Sequence, residues 1–175
     1  FTQELDVSNR GSVEAFFGNR ELAQALTRIN ILVNNAGLAK GVAAMAEGEI
    51  DDWQMMMDTN VMGLMYVTRL ALPQIKKNRG HIVNIGSVAG RWTYPGGAVY
   101  CASKAAVRAL TEGLRMDLQG ARVRVTNIAP GMVETEFSKT RFGNAEKAKQ
   151  VYENFNALSA EDIAECIAWS LSRPP

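Results

Sequence analysis

The sequence predicts an α/β domain: a doubly wound parallel sheet with helices on both faces. Three observations carry that prediction. Short apolar runs rich in β-branched residues alternate with helix-period patterns along all 175 residues. The runs are nearly continuous in their hydrophobicity, as strands buried on both faces must be. Each run stops at small or polar residues, where an open sheet of this class receives ligands beyond its C-terminal strand ends. No linker, repeat or low-complexity stretch divides residues 1–175, so one domain is expected.

The elements follow in order. FTQELDV (1–7) alternates apolar and polar residues and is expected to be a strand. Residues 12–27, with Val13, Phe16, Phe17, Leu22, Ala25 and Leu26 on one stripe, predict a helix. INILV (29–33) is a buried strand that ends at NNAG. Residues 51–77 predict one long helix with Pro73 near its last turn. HIVNI (81–85) is the next strand. Residues 99–118 predict a helix stopped by Gly120. VRVTNI (123–128) is a strand closed by APG, and 132–156 reads as polar with short helices. Residues 160–172 predict a last helix, with Ser159 as N-cap and Pro174–Pro175 beyond it. The expected strand-end stretches are Asp6–Val7, Asn34–Gly37, Gly86–Ser87 and Pro130–Gly131.

Bulk composition removes several classes of function. Nineteen basic residues stand against 18 acidic ones, which gives no electrostatic reason to expect nucleic acid or an anionic membrane as partner. No apolar run approaches the roughly 18 residues of a membrane span, and no signal peptide is visible, so a cytoplasmic protein is expected. Two cysteines, Cys101 and Cys166, without CxxC spacing argue against a disulfide framework or a metal site. His81 is the only histidine. It is separated from Ser87 by roughly 20 Å of strand, which excludes a serine–histidine hydrolase and leaves His81 as a polar residue entering a strand.

The chemistry concentrates between residues 87 and 104. Tyr100 and Lys104 are four apart and share one helix face. An unperturbed phenol titrates near 10, and bringing it to about 7 takes roughly 4 kcal/mol. A cation about 4 Å away at an effective dielectric near 20 supplies about that much. Ser87, at the end of a strand, can hold a substrate oxygen near the phenol. Such parts suit moving a proton on or off an alcohol oxygen, and oxidation then needs a hydride carrier. Tyrosine and lysine at this spacing are also common helix-surface neighbours. Asn60 falls on the apolar stripe of the 51–77 helix, where a buried amide must find partners. It either satisfies neighbouring backbone or forms a polar relay toward Lys104. NNAG (34–37) ends its strand with residues small enough for a ligand to lie against the backbone. GLAKG (37–41) lacks the third glycine of a dinucleotide fingerprint and is expected to be a loop.

Taken together, Asp6–Val7, NNAG, Asn60 in DTNVMG, Ser87 in NIGSVAG, Tyr100 and Lys104 in YCASK, and PGMVET (130–135) resemble the short-chain dehydrogenase/reductase family. The resemblance spans almost the whole chain. It implies a Rossmann-like fold with Tyr100 as acid/base and Lys104 lowering its pKa and binding the nicotinamide ribose. It implies that Ser87 orients the substrate oxygen and that Asn60 supports a water relay. Asp6 and Val7 would meet the adenine; Asn35, Ala36 and Gly37 would line the adenosine ribose side. Pro130, Gly131, Val133 and Thr135 would hold the nicotinamide. Helices 51–77 and 99–118 would form the interface of a homo-oligomer, dimer or tetramer.

NNAGLA, YPGGAVYCASKAAV and PGMVETEFSKTRF are similar, more narrowly, to the NADP-dependent 3-hydroxy acid dehydrogenases. That likeness implies NADP as cofactor, with NAD as the other candidate, and a small-molecule acid as substrate. Arg141 would then pair its guanidinium with the substrate carboxylate; otherwise it is a solvent-facing arginine. Trp92 and Tyr94 either shape the pocket or pack under a loop, and Cys101 is expected to fill the helix. The family's glycine-rich turn and second strand have no counterpart here. The residues are therefore expected to be an excerpt of a longer polypeptide, with a partial sheet whose edge is exposed. Within the same class a 3-oxoacyl-carrier-protein reductase is the alternative, and outside it a non-catalytic dinucleotide-sensing module.

Overall fold

The structure is a computed structural model that describes residues 2–153 and 156–174. Phe1 of the expected first strand, residues 154 and 155 of the polar stretch, and Pro175 lie outside the described residues. Three parallel strands form the sheet: β1 (Ile31–Asn34), β2 (His81–Ile85) and β3 (Arg124–Ile128), in the order β1-β2-β3. The register pairs Asn34 with Asn84 and Asn84 with Asn127, so three asparagines stand in one row across the sheet. Helices α1 (Arg10–Gly18), α2 (Ala23–Leu26), α3 (Ile50–Met57), α4 (Leu64–Lys77), α5 (Ala98–Asp117), α6 (Phe137–Phe142), α7 (Ala145–Gln150) and α8 (Ala160–Ser172) complete it.

The core lies between the sheet and the pair α4 and α5. Ala71 and Ile75 of α4 pack with Ile82, Val125 and Leu118, the residue that follows α5. This burial is the main stabilising term. The asparagine row adds direction to it. Asn34 Nδ2 donates to Thr68 Oγ1 of α4 (2.9 Å) and to Asn84 Oδ1 (2.8 Å), and Asn84 Nδ2 donates to Thr111 Oγ1 of α5 (2.9 Å). An unpaired amide at this depth would cost its desolvation, so both helices are registered against the strand ends. On the other face His81 Nε2 pairs with Thr126 Oγ1 at 2.8 Å. There Arg124 reaches the C-terminal carbonyls of α8, those of Ser170, Leu171 and Arg173. Ser159 and Asp162 form a reciprocal cap at the start of α8.

Three expectations are corrected. Residues 2–7 pair with no strand of the sheet. Their alternation records a different contact: Leu5 and Val7 face the apolar surface of β1 and α4, while the backbone turns into α1 through Ser12 Oγ and Asn9. β1 stands at one end of the sheet formed by the described residues, with Ile31 and Val33 46% and 38% exposed. The single helix expected over 12–27 is broken between Gly18 and Ala23, where Asn19 turns the chain and accepts from Glu21 N–H. The long helix over 51–77 is continuous but widens to a π-turn at Asp58–Gly63, a feature common at functional sites. Among the described residues no helix is long and apolar enough to cross a membrane.

Candidate active site

Beyond the C-terminal ends of the strands lies a cavity of about 700 Å³. Ser87, Tyr100, Lys104, Asn35, Gly37, Pro130, Gly131, Val133 and Thr135 all line it, so residues spread over a hundred positions meet in one place. The topology is the reason. Parallel strands return to the same end of the sheet, and each strand–helix crossing delivers its loop there.

Ser87 follows β2 and opens the 3₁₀ turn Val88–Gly90, accepting a hydrogen bond from Ala89 N–H at 3.1 Å. Gly90 lets that turn touch α5, since a Cβ there would stand 2.7 Å from the Lys104 carbonyl oxygen. Tyr100 lies in the first turn of α5, its ring 5.7 Å from that of Phe137. Burial raises its pKa above the ordinary phenol value, and the neighbouring Ser87 hydroxyl and the charge of Arg141 offset that only in part. Lys104 is 6% exposed, and burial lowers its pKa to about 8. Its ammonium donates to the Ile85 carbonyl at 2.9 Å and sits 6.0 Å from the centre of the Tyr100 ring. Arg141 stands at a similar distance, its guanidinium carbon 5.8 Å from the centre of the same ring. Helix spacing fixes the shared face but not the direction of a four-carbon stem.

Asn60 sits in the π-turn, buried behind the cavity wall. Its Oδ1 accepts from Leu38 N–H (2.8 Å), and its Nδ2 donates to the Leu38 carbonyl (2.8 Å) and Ser103 Oγ (3.0 Å). Ser103 Oγ in turn donates to the Tyr100 carbonyl (2.7 Å). The amide thus satisfies neighbouring backbone and ties the loop after β1 to the turn of α5 that carries Tyr100. Gly37 lies between Asn60 and Lys104: a Cβ there would be 3.2 Å from Asn60 Oδ1 and 3.5 Å from Lys104 Nζ. The segment 130–135 is held by a parallel bridge between Val133 and Leu158 and by Tyr152, whose hydroxyl donates to the Val133 carbonyl.

Four expected site residues stand elsewhere. Val7 and Ala36 line a second, apolar cavity of about 460 Å³ beside β1. Asp6 is exposed, its carboxylate accepting from Ser8 N–H and Oγ, which holds its pKa below the usual range. Asn35 borders both cavities, so Asp6, Val7 and Ala36 lie around the corner from Ser87, Tyr100 and Lys104. Arg141 borders a small cavity of about 110 Å³, which Tyr100 also lines. Trp92 is 67% exposed and lines neither. Sequence reasoning missed Glu136, Phe137 and Thr140, and also the face of α8 formed by Ala160, Ile163, Ala164 and Ile167. The signal for α8 was present in the i, i+3, i+4, i+7 spacing of those four, which predicts an apolar face but not what that face meets.

The cavity suits a nucleotide-sized ligand. A buried lysine stands at its floor, glycine at 37 keeps a Cβ out of the contact between Asn60 and Lys104, and a Cβ at Gly131 would meet open space. Comparison with known proteins agrees with this geometry. Residues 1–146 match the family model described as short chain dehydrogenase. The NADP-dependent 3-hydroxy acid dehydrogenase YdfG of Salmonella typhi is 49% identical over 99% of this chain and 70% of its own length. Sulfoacetaldehyde reductase 2 of Chromohalobacter salexigens is 46% identical over 99% of this chain and 69% of its own. Among solved structures, the closed form of serine dehydrogenase complexed with NADP+ superposes with a TM-score of 0.92 at 46% identity, covering 98% of this chain and 70% of that one. The chain spans about 70% of the length of these relatives, and with that match it belongs to the short-chain dehydrogenase family.

Proposed function

We propose that this protein is an NADP-dependent oxidoreductase acting on the CH–OH group of a small 3-hydroxy acid, or on the corresponding carbonyl compound. One observation carries the reading: Ser87, Tyr100 and Lys104 line a single cavity at the strand ends. NADP bound there supplies the acceptor or donor of the hydride. Asn35, Gly37, Pro130, Gly131, Val133 and Thr135 would hold it in the main cavity, with Asp6, Val7 and Ala36 around the corner near Asn35. Ser87 holds the substrate oxygen, Tyr100 exchanges the proton with it, and Asn60 keeps the turn that carries Tyr100 in place. Arg141, beside Tyr100, takes the substrate's acidic group. The names of the relatives support that choice, because a 3-hydroxy acid and sulfoacetaldehyde each join an acidic group to an alcohol or a carbonyl.

The raised pKa of Tyr100 sets a direction. A protonated phenol is ready to give its proton to a carbonyl oxygen, whereas oxidation requires the phenolate. Oxidation is therefore expected to accelerate as pH rises toward and past the ordinary phenol value of about 10, and reduction to slow over the same range. The test is absorbance at 340 nm with the intact polypeptide, NADP, and serine or 3-hydroxyisobutyrate, against NADPH with an acetoacetyl thioester. Preference for the thioester would overturn the substrate class, and dinucleotide binding without turnover would favour a sensor. The same reading makes the protein a cytoplasmic homo-oligomer, dimer or tetramer, joined through α3, α4 and α5. Exposed Met55, Met65 and Met116 on those helices support it.

A further inference from the structure

We propose that Tyr152 is a positioning residue for the cofactor: its phenol, paired with Ser138, clamps the peptide group between Val133 and Glu134 and so fixes the stretch that presents Val133 and Thr135 to the main cavity. The proposal rests on the dinucleotide reading above and extends it to a residue outside the cavity.

Tyr152 lies in the turn after α7 and is half-buried. A tyrosine at that depth can leave its oxygen in water, yet here the oxygen turns to the protein. It donates to the Val133 carbonyl at 3.0 Å and is in hydrogen-bond contact with Ser138 Oγ. A phenol carries a single hydrogen. A carbonyl can only accept, so that hydrogen goes to Val133 and Ser138 must donate to Tyr152. The direction of the relay is thereby fixed, from Ser138 through Tyr152 to Val133. Ser138 is buried, so its hydroxyl depends on this partner.

The clamp closes on one peptide group from both sides. The Glu134 N–H donates to the Leu158 carbonyl at 2.8 Å, and the Leu158 N–H donates to the Met132 carbonyl at 3.0 Å. In such a parallel bridge Val133 turns its own N–H and carbonyl away from Leu158, and Tyr152 meets that carbonyl. Val133 and Thr135 line the main cavity, whereas Tyr152 and Ser138 do not. Tyr152 therefore acts on a ligand only through the segment that it holds. Ser138 also belongs to α6, whose first residue, Phe137, has its ring 5.7 Å from that of Tyr100. Thr135 Oγ1 accepts from the Phe137 N–H at 3.2 Å. One phenol thus joins the cavity wall to the helix that lies against Tyr100.

On the reading above, 130–135 hold the nicotinamide, and Asp6 and Val7 meet the adenine. The test is calorimetric binding of NADP and of adenosine 2′,5′-bisphosphate, which lacks the nicotinamide half, to the full-length protein, wild type against Tyr152→Phe. Tyr152→Phe is expected to weaken NADP about tenfold, as loss of one hydrogen bond implies, and to leave the bisphosphate within about twofold. In the cofactor-free protein the Glu134 amide is expected to exchange faster, with α5 exchanging as in wild type. Equal weakening of both ligands, or of neither, overturns the proposal. The double variant Tyr152→Phe, Ser138→Ala separates positioning from folding, because it also removes the hydroxyl that Tyr152→Phe leaves without an acceptor. Its thermal midpoint is expected to lie above that of Tyr152→Phe while NADP binding stays weak. NADP affinity restored along with the midpoint makes the role structural and overturns the proposal. A wild type that binds NADP but oxidises no 3-hydroxy acid removes only the reaction assigned above, and the two affinities still decide the role of Tyr152. A wild type that binds no NADP overturns both.

Discussion

Lys104 shows what a single residue costs and provides. Its ordinary pKa of 10.5 falls to about 8 because burial penalises the charge. That difference corresponds to about 3 kcal/mol of native-state penalty at neutral pH. Below pH 8 both folded and unfolded states carry the proton and the native state bears the whole cost. Between pH 8 and 10.5 the native lysine has released its proton while the unfolded one keeps it, so wild-type stability rises. Lys104→Met, which removes the charge and also the hydrogen bond to Ile85, is expected to be more stable than wild type by about 1–2 kcal/mol below pH 8. The gap should close as pH climbs toward 10.5, as denaturant melts at several pH values would show. Tyr100→Phe tests the neighbouring group. Only a hydroxyl leaves, so the thermal midpoint should hold while kcat falls by about 10²- to 10⁴-fold. A Phe variant with most of the wild-type rate would remove the phenol from the chemistry.

At the scale of elements, α8 is held to the sheet at its far end. Arg124 bonds three carbonyls at its C-terminus (3.3, 2.6 and 3.0 Å), where a cation also complements the helix dipole. The same helix presents Ile163, Ala164 and Ile167 to the main cavity. Arg124→Ala is expected to cost about 2 kcal/mol, to speed amide exchange along α8, and to raise KM for NADP more than it lowers kcat. A mutant with wild-type exchange in α8 would contradict the coupling. The π-turn at Asp58–Gly63 works on the same scale. It widens the helix at the turn where Asn60 faces Leu38 and Ser103.

For the whole molecule, the site is a property of how the sheet ends converge, and ligand binding should be read as stability. NADP at about a hundred times its Kd is expected to raise unfolding free energy by about 2.7 kcal/mol. A thermal shift measurement on the intact polypeptide checks it, and no shift would mean that the cavity does not hold the dinucleotide. Light scattering at micromolar concentration should return at least twice the subunit mass if α3, α4 and α5 join copies.

The sequence by itself determined the order of the elements from β1 to α5, the bounds of β2, α5 and α8 to within a residue, and the meeting of Ser87, Tyr100 and Lys104 at one end of the sheet. These are legible because periodicity, caps and strand-end composition are local, and because a motif series in fixed order carries joint information. The tertiary structure alone decided that residues 2–7 join no strand, since a ladder needs a partner that alternation cannot supply. It also decided that the Lys104 ammonium bonds the Ile85 carbonyl, that Arg141 stands near the Tyr100 ring, and that α8 walls the cavity. Those outcomes depend on contacts between segments up to a hundred residues apart, and on where flexible side chains find hydrogen bonds after packing. Neither is encoded in the spacing of neighbouring residues.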